Sequence, residues 1–389
     1  GLLGVSQFGA SGRDYNERRS SLAVYLQSTL FFGAAIRVSS LSHDGSSAPD
    51  LRLQQLEHWL AGLFGARDFV VTTASADASF RRYFRVSRQG QTWIAMDAPP
   101  GKEDMGPYIR VSAMLVDVGV NAPRVLHRDE TQGFLLNTDL GSRTYLNELD
   151  AGGDAERLYR EAIDALVAIQ ARAGQHAAQL PPYDDALLRR EMGLFPEWFC
   201  GKHLGLQLSE AEVAGIAATF DTLAAEALRQ PRVFVHRDYH SRNLMLTDGV
   251  SHERGGHGPN PGILDFQDAV LGPVTYDLVS LLRDSYVQWP LERVHAWIEY
   301  FRQTAQRSGV DVGANPAQFQ RWFDLMGVQR QLKVLGIFAR LYHRDGKSGY
   351  LKDLPRTLSY VRQVIGNYSD LDFLAGFIER RIVPAMAKL

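Results

Sequence analysis

One cysteine in 389 residues, Cys200, leaves no intramolecular disulfide to form. That scarcity fits a reducing compartment, the cytoplasm, and Cys200 is expected as a buried packing residue. An excess of one charge is missing as well: 42 Lys and Arg against 44 Asp and Glu give a formal net charge of -2. Without a basic surplus there is no electrostatic footprint for nucleic acid, which excludes that class of partner. Long apolar runs are also lacking. The nearest to one, Leu22 to Ile36 behind Arg18-Arg19, has the outline of an export signal. It is interrupted by Gln27, Ser28 and Thr29, shows no small-x-small cleavage site before Arg37, and is too short to span a bilayer. No membrane role is expected, and neither internal repeats nor extended low-complexity segments are present.

What is there suffices for a large core. At 45% hydrophobic and 22% charged residues, the chain is expected to enclose its own interior and to divide into two lobes. Its most informative stretch is His236-Arg237-Asp238-Tyr239-His240-Ser241-Arg242-Asn243, followed after a Gly/Pro-rich interval by Ile263-Leu264-Asp265-Phe266-Gln267. A carboxylate, an amide and a second carboxylate in this order are what metal-assisted phosphoryl transfer from ATP requires, because its loose transition state needs positioning and charge neutralisation more than covalent help. Asp238 is the candidate base that orients an acceptor hydroxyl and takes its proton. Asn243 and Asp265 are the candidate ligands of Mg²⁺, a hard cation that prefers oxygen donors and shares its shell with phosphates. The apolar runs Val233-Phe234-Val235, Leu244-Met245-Leu246 and Gly262-Ile263-Leu264 read as short strands that deliver these residues.

The His-Arg-Asp-x-x-x-x-Asn spacing repeats that of the protein-kinase catalytic loop, with Asp265-Phe266-Gln267 standing where those enzymes have Asp-Phe-Gly. Further details, His240 after the base, Asp265-Phe266-Gln267-Asp268-Ala269, Gly272-Pro273 and Tyr276-Asp277-Leu278, with no Ala-Pro-Glu segment, resemble the aminoglycoside phosphotransferase-like family of small-molecule kinases. The likeness runs from about Leu51 to the C-terminus. It implies an α+β, bilobal protein-kinase-like fold with a small antiparallel-sheet N-lobe and a larger, mostly helical C-lobe. It also implies that Asp277 is a buried acid bracing the catalytic loop, and that Gln267 replaces the glycine without touching metal.

The organisation agrees with that division. Residues 1–49 read as a non-catalytic N-terminal tail, 50–136 as a nucleotide-binding N-lobe, 137–141 as a hinge, and 142–389 as the catalytic and substrate-binding C-lobe. Leu53, Leu56, Leu60 and Leu63 recur at helical spacing behind Asp50 as cap and before Gly65. Strands are expected at 69–73, 83–86, 93–96 and 133–136, with a helix over 108–118 between the last two. Helices then dominate, at 158–169, 187–199, 211–228 and in several segments from Leu291 onward.

The loop 75–82 is expected to cover the ATP phosphates, using backbone amides, Ser79 and an arginine in place of a G-x-G-x-x-G run. Thr138 and Asp139 are expected to present backbone groups to adenine. By the family pattern a lysine on the third strand and a glutamate on the next helix should pair; here the strand reads Trp93-Ile94-Ala95-Met96-Asp97 and the helix has no glutamate. Arg81, Arg82 and Lys102 are the candidates for the replacement cation, with Arg82 preferred.

A closer resemblance concerns the acceptor. Asp77 to Arg85, Met96-Asp97-Ala98-Pro99-Pro100, Leu194 to Phe199 and Lys333 to Leu341 look like the bacterial anomeric kinases of cell-wall sugar recycling. This implies a small amino-sugar substrate, N-acetylmuramate or N-acetylglucosamine, phosphorylated at the anomeric hydroxyl, in a branch that also lacks the strand lysine. An anomeric hydroxyl is acidic enough for an ordinary carboxylate base. The basic residues between Arg330 and Arg356, Arg340 among them, would attract a lactyl carboxylate and repel a cationic aminoglycoside, or else form a solvated face. Trp198 either stacks on the sugar or belongs to the core with Phe195 and Phe199; His240 either bonds the sugar or orders the loop. His252 and His257 read as a mobile surface loop rather than a zinc site. The alternatives are a kinase of another small alcohol, of aminoglycoside, choline or fructosamine type, and a non-catalytic nucleotide-binding regulator, which the intact Asp238, Asn243 and Asp265 disfavour. No obligate protein partner is evident in the sequence.

Overall fold

The computed structural model describes residues 50–76, 80–247 and 259–389. The expected tail, Ser79, His252 and His257 lie outside the described residues. The described residues form two compact units: one holds those from Asp50 to Met105 with Leu126–Asn137, the other those of Gly106–Val125 with Thr138–Leu389.

In the first unit, helix α1 (Leu51–Phe64) begins where Asp50 accepts the amide of Leu53 at 3.0 Å and ends at Gly65, whose φ of +66° a side chain would resist. Leu56 and Leu60 pack with Phe84, Val86, Ala95, Phe134 and Leu136, residues of a five-stranded sheet. Its strands are β1 (Val70–Ala76), β2 (Arg82–Arg88), β3 (Gln91–Asp97), β4 (Val125–Asp129) and β5 (Phe134–Thr138), in the order β1-β2-β3-β5-β4. Antiparallel register sets Phe84 opposite Ala95 and Val86 opposite Trp93, so alternate residues of both strands meet α1. β4 carries a largely exposed Val-Leu-His-Arg-Asp run and lies at the sheet's edge, which is why apolar alternation did not reveal it.

Helix α2 (Gly106–Asp117) falls within the span expected for the nucleotide-binding lobe, yet residues 106–125 pack with the larger unit. Tyr108 lies 4.9 Å from the Phe266 ring, Ser112 Oγ donates to the carbonyl of Pro123 at 2.6 Å, and the amide of Ile263 donates to that of Asn121 at 2.7 Å. These contacts tie α2 and the chain after it to the segment that carries Asp265.

The remainder is mostly helical: α3 (Tyr145–Asp150), α4 (Ala155–Arg172), α5 (Asp185–Met192), α6 (Glu210–Leu228), α7 (Tyr276–Leu282), α8 (Leu291–Arg307), α9 (Pro316–Asp345), α10 (Leu354–Ile365), α11 (Asp372–Phe377) and α12 (Val383–Met386). The helix expected over 187–199 stops at Met192, and a wider π-helical segment, Phe195–His203, follows Gly193-Leu194. Pro196 has no amide hydrogen to continue the i to i−4 ladder, which is consistent with a break here. Two short antiparallel pairs complete this unit, β6 (Arg232–Val235) with β9 (Val270–Pro273) and β7 (Leu244–Met245) with β8 (Gly262–Ile263). They leave two loops, 236–243 and 264–269, held at both ends.

α9 is 30 residues long and buried from Trp322 to Leu341 without a solvent face. Such a helix must meet neighbours on every side. At Gly336 the contact is to backbone: a Cβ there would lie 2.4 Å from the carbonyl carbon of Leu194. Gly336→Ala is therefore expected to lower unfolding stability by about 1–3 kcal/mol through overpacking, read as a reduced denaturant midpoint at unchanged slope.

Candidate active site

The loop between β6 and β7 is fixed by one buried carboxylate. Asp277, in the first turn of α7 and fully buried, accepts the backbone amides of His236 at 2.6 Å and Arg237 at 3.0 Å. Burial pushes its pKa up to about 7, against the pull of those two amides and of Arg330. Arg237 itself adopts φ +78°, a conformation unfavourable to a residue with a side chain and kept only where surroundings enforce it.

His236 joins the two loops. Its Nε2–H donates to the Leu264 carbonyl at 3.0 Å, and Nδ1 accepts the amide of Asp238 at 3.2 Å. This pair of bonds requires the neutral tautomer, and burial holds the imidazole down at about pKa 4.

Asp238 follows on the same turn, almost wholly buried. Desolvation raises its pKa, while the charges of Lys333, Arg237 and Arg330 act in the opposite sense. Asn243 donates through Nδ2 to the Asp238 carbonyl at 3.0 Å and to Asp265 Oδ2 at 3.3 Å. Its Oδ1 is buried without a hydrogen-bond partner. Asp265, with φ +62°, accepts Gln267 Nε2 on Oδ1 at 2.7 Å. The geometry thus gathers Asp238, Asn243 and Asp265, with Gln267 bonded to the Asp265 carboxylate.

Beneath the loop lies an ion network that sequence reasoning missed. Glu191 of α5 meets Arg237, Tyr183 and, at 3.0 Å, Lys333 Nζ, which also donates to Tyr276 Oη at 3.0 Å. Burial would raise the pKa of Glu191, but the charges of Lys333 and Arg237 hold it at about 2. Lys333, read from sequence as part of a basic segment, is an internal counter-ion. Arg330 is buried on the same helix, with Nε and Nη1 lacking partners.

The remaining predicted residues are distributed as follows. Arg82 is engaged by Asp50 and, at 2.7 Å, by Asp97, which also takes Arg52. Arg81 is buried, 3.8 Å from Glu103, whose other oxygen accepts the amide of Phe80 at 3.0 Å. Lys102 Nζ sits 5.0 Å over the Phe80 ring. Thr138 pairs its amide with the Arg124 carbonyl and its Oγ1 with the Arg124 amide, each at 3.0 Å, while Asp139 Oδ1 caps Gly141 at 2.9 Å. Trp198 is half-buried between the core rings Phe195 and Phe199 in sequence. Arg340 is buried, and desolvation with the Arg344 charge lowers its pKa to about 10. It lies ten residues, about 15 Å, along α9 from Arg330 and is not among the charges acting most strongly on Asp238.

A two-loop centre of this kind, in which Asp238, Asn243 and Asp265 converge, is that of a kinase-like phosphotransferase. The chain belongs to the phosphotransferase enzyme family, whose model matches residues 70–317. It is 46% identical over 341 residues to an N-acetylmuramate/N-acetylglucosamine kinase of Pseudomonas putida, covering 85% of this chain and 96% of that protein. A protein of the same name from Pseudomonas aeruginosa is 46% identical over 332 residues, 83% of this chain and 94% of its own. The fold also matches an aminoglycoside 2'-phosphotransferase solved with GDP, at TM-score 0.54 and 17% identity, over 82% of this chain and all of that one. Among the described residues no helix is long and apolar enough to cross a membrane.

His236 sets an acid limit. Its folded pKa of about 4 lies below the unfolded value of 6.5, so stability is fully present above pH 6.5 and is lost as pH falls toward 4. The loss should approach about 3 kcal/mol, from roughly 2.5 units at 1.36 kcal/mol each. In a stability-versus-pH profile, His236→Gln should flatten this limb; an unchanged slope would show that His236 does not carry it.

Proposed function

We propose that this chain is an ATP-dependent kinase that phosphorylates N-acetylmuramate and N-acetylglucosamine at the anomeric hydroxyl, yielding ADP and a sugar 1-phosphate. The observation that carries the reading is 46% identity over 85% of the chain to a kinase of that name, in a chain whose Asp238, Asn243 and Asp265 converge. ATP dependence and the lone buried Cys200 favour a cytoplasmic enzyme.

Asp238 orients the acceptor hydroxyl and takes its proton as the sugar O–P bond forms and the bond between the β- and γ-phosphates breaks, ADP leaving with the electron pair. Burial raises the proton affinity of Asp238 while the surrounding cations keep it ionisable, a balance suited to a base that acts late on an acidic hydroxyl. Asn243 Oδ1, buried and unpartnered, and the Asp265 carboxylate are oxygen donors that fit Mg²⁺ shared with phosphates. Bound there, the ion would neutralise phosphate charge. Gln267 keeps the Asp265 carboxylate in place.

The phosphate cation is assigned to Arg81 in preference to Arg82. Two carboxylates already engage Arg82, whereas Arg81 is buried beside Glu103, a cation–carboxylate pair of the kind absent from the strand and helix.

Asp238→Asn should lower kcat at least 100-fold with ATP affinity kept; near wild-type turnover would remove the mechanism. The product should give a ³¹P signal coupled to the anomeric proton, and a 6-phosphate would overturn the acceptor assignment. Arg81→Ala should raise the KM for ATP about tenfold or more, while Arg82→Ala should chiefly lower the unfolding midpoint. The reverse pattern would return the role to Arg82.

A further inference from the structure

Two buried polar side chains near the base are not used by this mechanism. His240 is 2% exposed, and neither ring nitrogen has a hydrogen-bond partner. Arg330 is 3% exposed, with Nε and Nη1 in the same condition. Buried donors and acceptors are costly when unpaired, so their persistence points to a ligand that completes them.

Both stand close to the reacting centre. The His240 amide donates to the Asp238 carbonyl at 3.1 Å, which sets base and imidazole on one tight turn. That turn is anchored by Asp284, which accepts the Ser241 amide at 3.0 Å and the Tyr286 amide at 2.9 Å. The Tyr286 ring meets the His240 ring edge to face at 5.5 Å. The Arg330 charge acts on Asp238, His240, Asp277 and Asp284 alike. Of its chain neighbours, Gln329 donates to Tyr183 Oη at 3.2 Å and Gln331 to the Arg283 carbonyl at 2.8 Å, the side-chain oxygen of each remaining unpaired. Lys333 is committed to Glu191.

Charge decides what kind of ligand fits. Asp238, Asp277 and Asp284 already offset part of the Arg330 charge, burial holding the pKa of each up, and a further anion would meet the charge they carry. A neutral carbonyl oxygen meets no such opposition. An imidazole with both nitrogens unpartnered offers, in its neutral form, one donor and one acceptor. Together the two side chains offer donors for a C=O and an acceptor for an N–H, the complement of a secondary amide.

We propose that His240 and Arg330 form an amide subsite that binds the 2-acetamido group beside the hydroxyl being phosphorylated, the imidazole accepting its N–H and the guanidinium donating to its carbonyl oxygen. This rests on the sugar-kinase reading and deepens it. The acetamido-bearing carbon is bonded to the anomeric carbon, and His240 lies two residues from Asp238 on the same turn. The group is common to N-acetylmuramate and N-acetylglucosamine, so one subsite serves both, and the lactyl carboxylate need not enter it.

The test is kcat and KM for N-acetylglucosamine, N-acetylmuramate and glucose, at high enzyme concentration, for wild type, Arg330→Lys and His240→Ala. Arg330→Lys keeps the charge among the buried carboxylates and removes the planar fork; His240→Ala tests the subsite should the first variant fail to fold. In each, kcat/KM for the two acetamido sugars should fall together by about 10- to 100-fold, mainly through KM, with glucose changed less than about twofold. A fall confined to N-acetylmuramate would give the guanidinium to the lactyl carboxylate and overturn the proposal. Equal losses for all three sugars, or none, would overturn it too. Failure of the wild-type enzyme to phosphorylate either acetamido sugar would instead remove the sugar-kinase reading beneath it.

Discussion

The catalytic loop depends on the grip of Asp277 on the amides of His236 and Arg237. A loop of eight residues between two short strands has many conformations available, and two hydrogen bonds to one rigid, buried acceptor remove most of them. The acceptor is rigid because it belongs to the first turn of a helix buried over its whole length. From that point the rest follows in order. With Arg237 held at φ +78°, the chain turns so that Asp238 takes the Nδ1 bond of His236, and His236 reaches the second loop through Leu264. Asn243 then closes the figure by bonding both the Asp238 carbonyl and Asp265.

The same constraint explains the ion network below. Turning the chain at Arg237 sends a guanidinium inward, and an isolated buried cation would be prohibitive. Glu191 answers it, but Lys333 is also present, so the carboxylate sits between two cations and its pKa falls to about 2. Buried ion groups of this sort are poor sources of stability against a hydrophobic alternative. Their value here is positional: Arg237 is tied at its backbone by Asp277 and at its side chain by Glu191, which leaves its neighbour Asp238 little freedom.

Legibility from sequence followed the range of the interactions. The meeting of Asp238, Asn243 and Asp265 could be anticipated because each sits at a fixed spacing within a short loop, and α1 because a cap, a period and a terminal glycine are all local. Asp277 was found through family likeness and proved to be the anchor. Glu191, Lys333 and Gln329 could not be read, since their partners lie 46, 57 and 146 residues away and a charge run looks alike whether solvated or enclosed. β4 escaped because an edge strand need not alternate, and the π-helical segment because an extra residue per turn leaves no clear period over nine residues. The placement of residues 106–125 turned on Tyr108 and Phe266, a contact that no local pattern announces.

The charges around Asp238 have distinct duties once their partners are counted. Arg237 and Lys333 share Glu191, so although both act on Asp238 each is also tied to a buried carboxylate. Arg330 contributes the same sign of field without a carboxylate bonded to it. The Asp238 carboxyl is thus set among three cations, two of them bonded to Glu191 and the third, Arg330, not. Substitutions at Lys333 and Arg330 would then change Asp238 similarly through charge, yet differ in consequence: the first removes one of the two cations on Glu191 and leaves Arg237 and Tyr183 to hold it, whereas the second touches no ion pair of the turn.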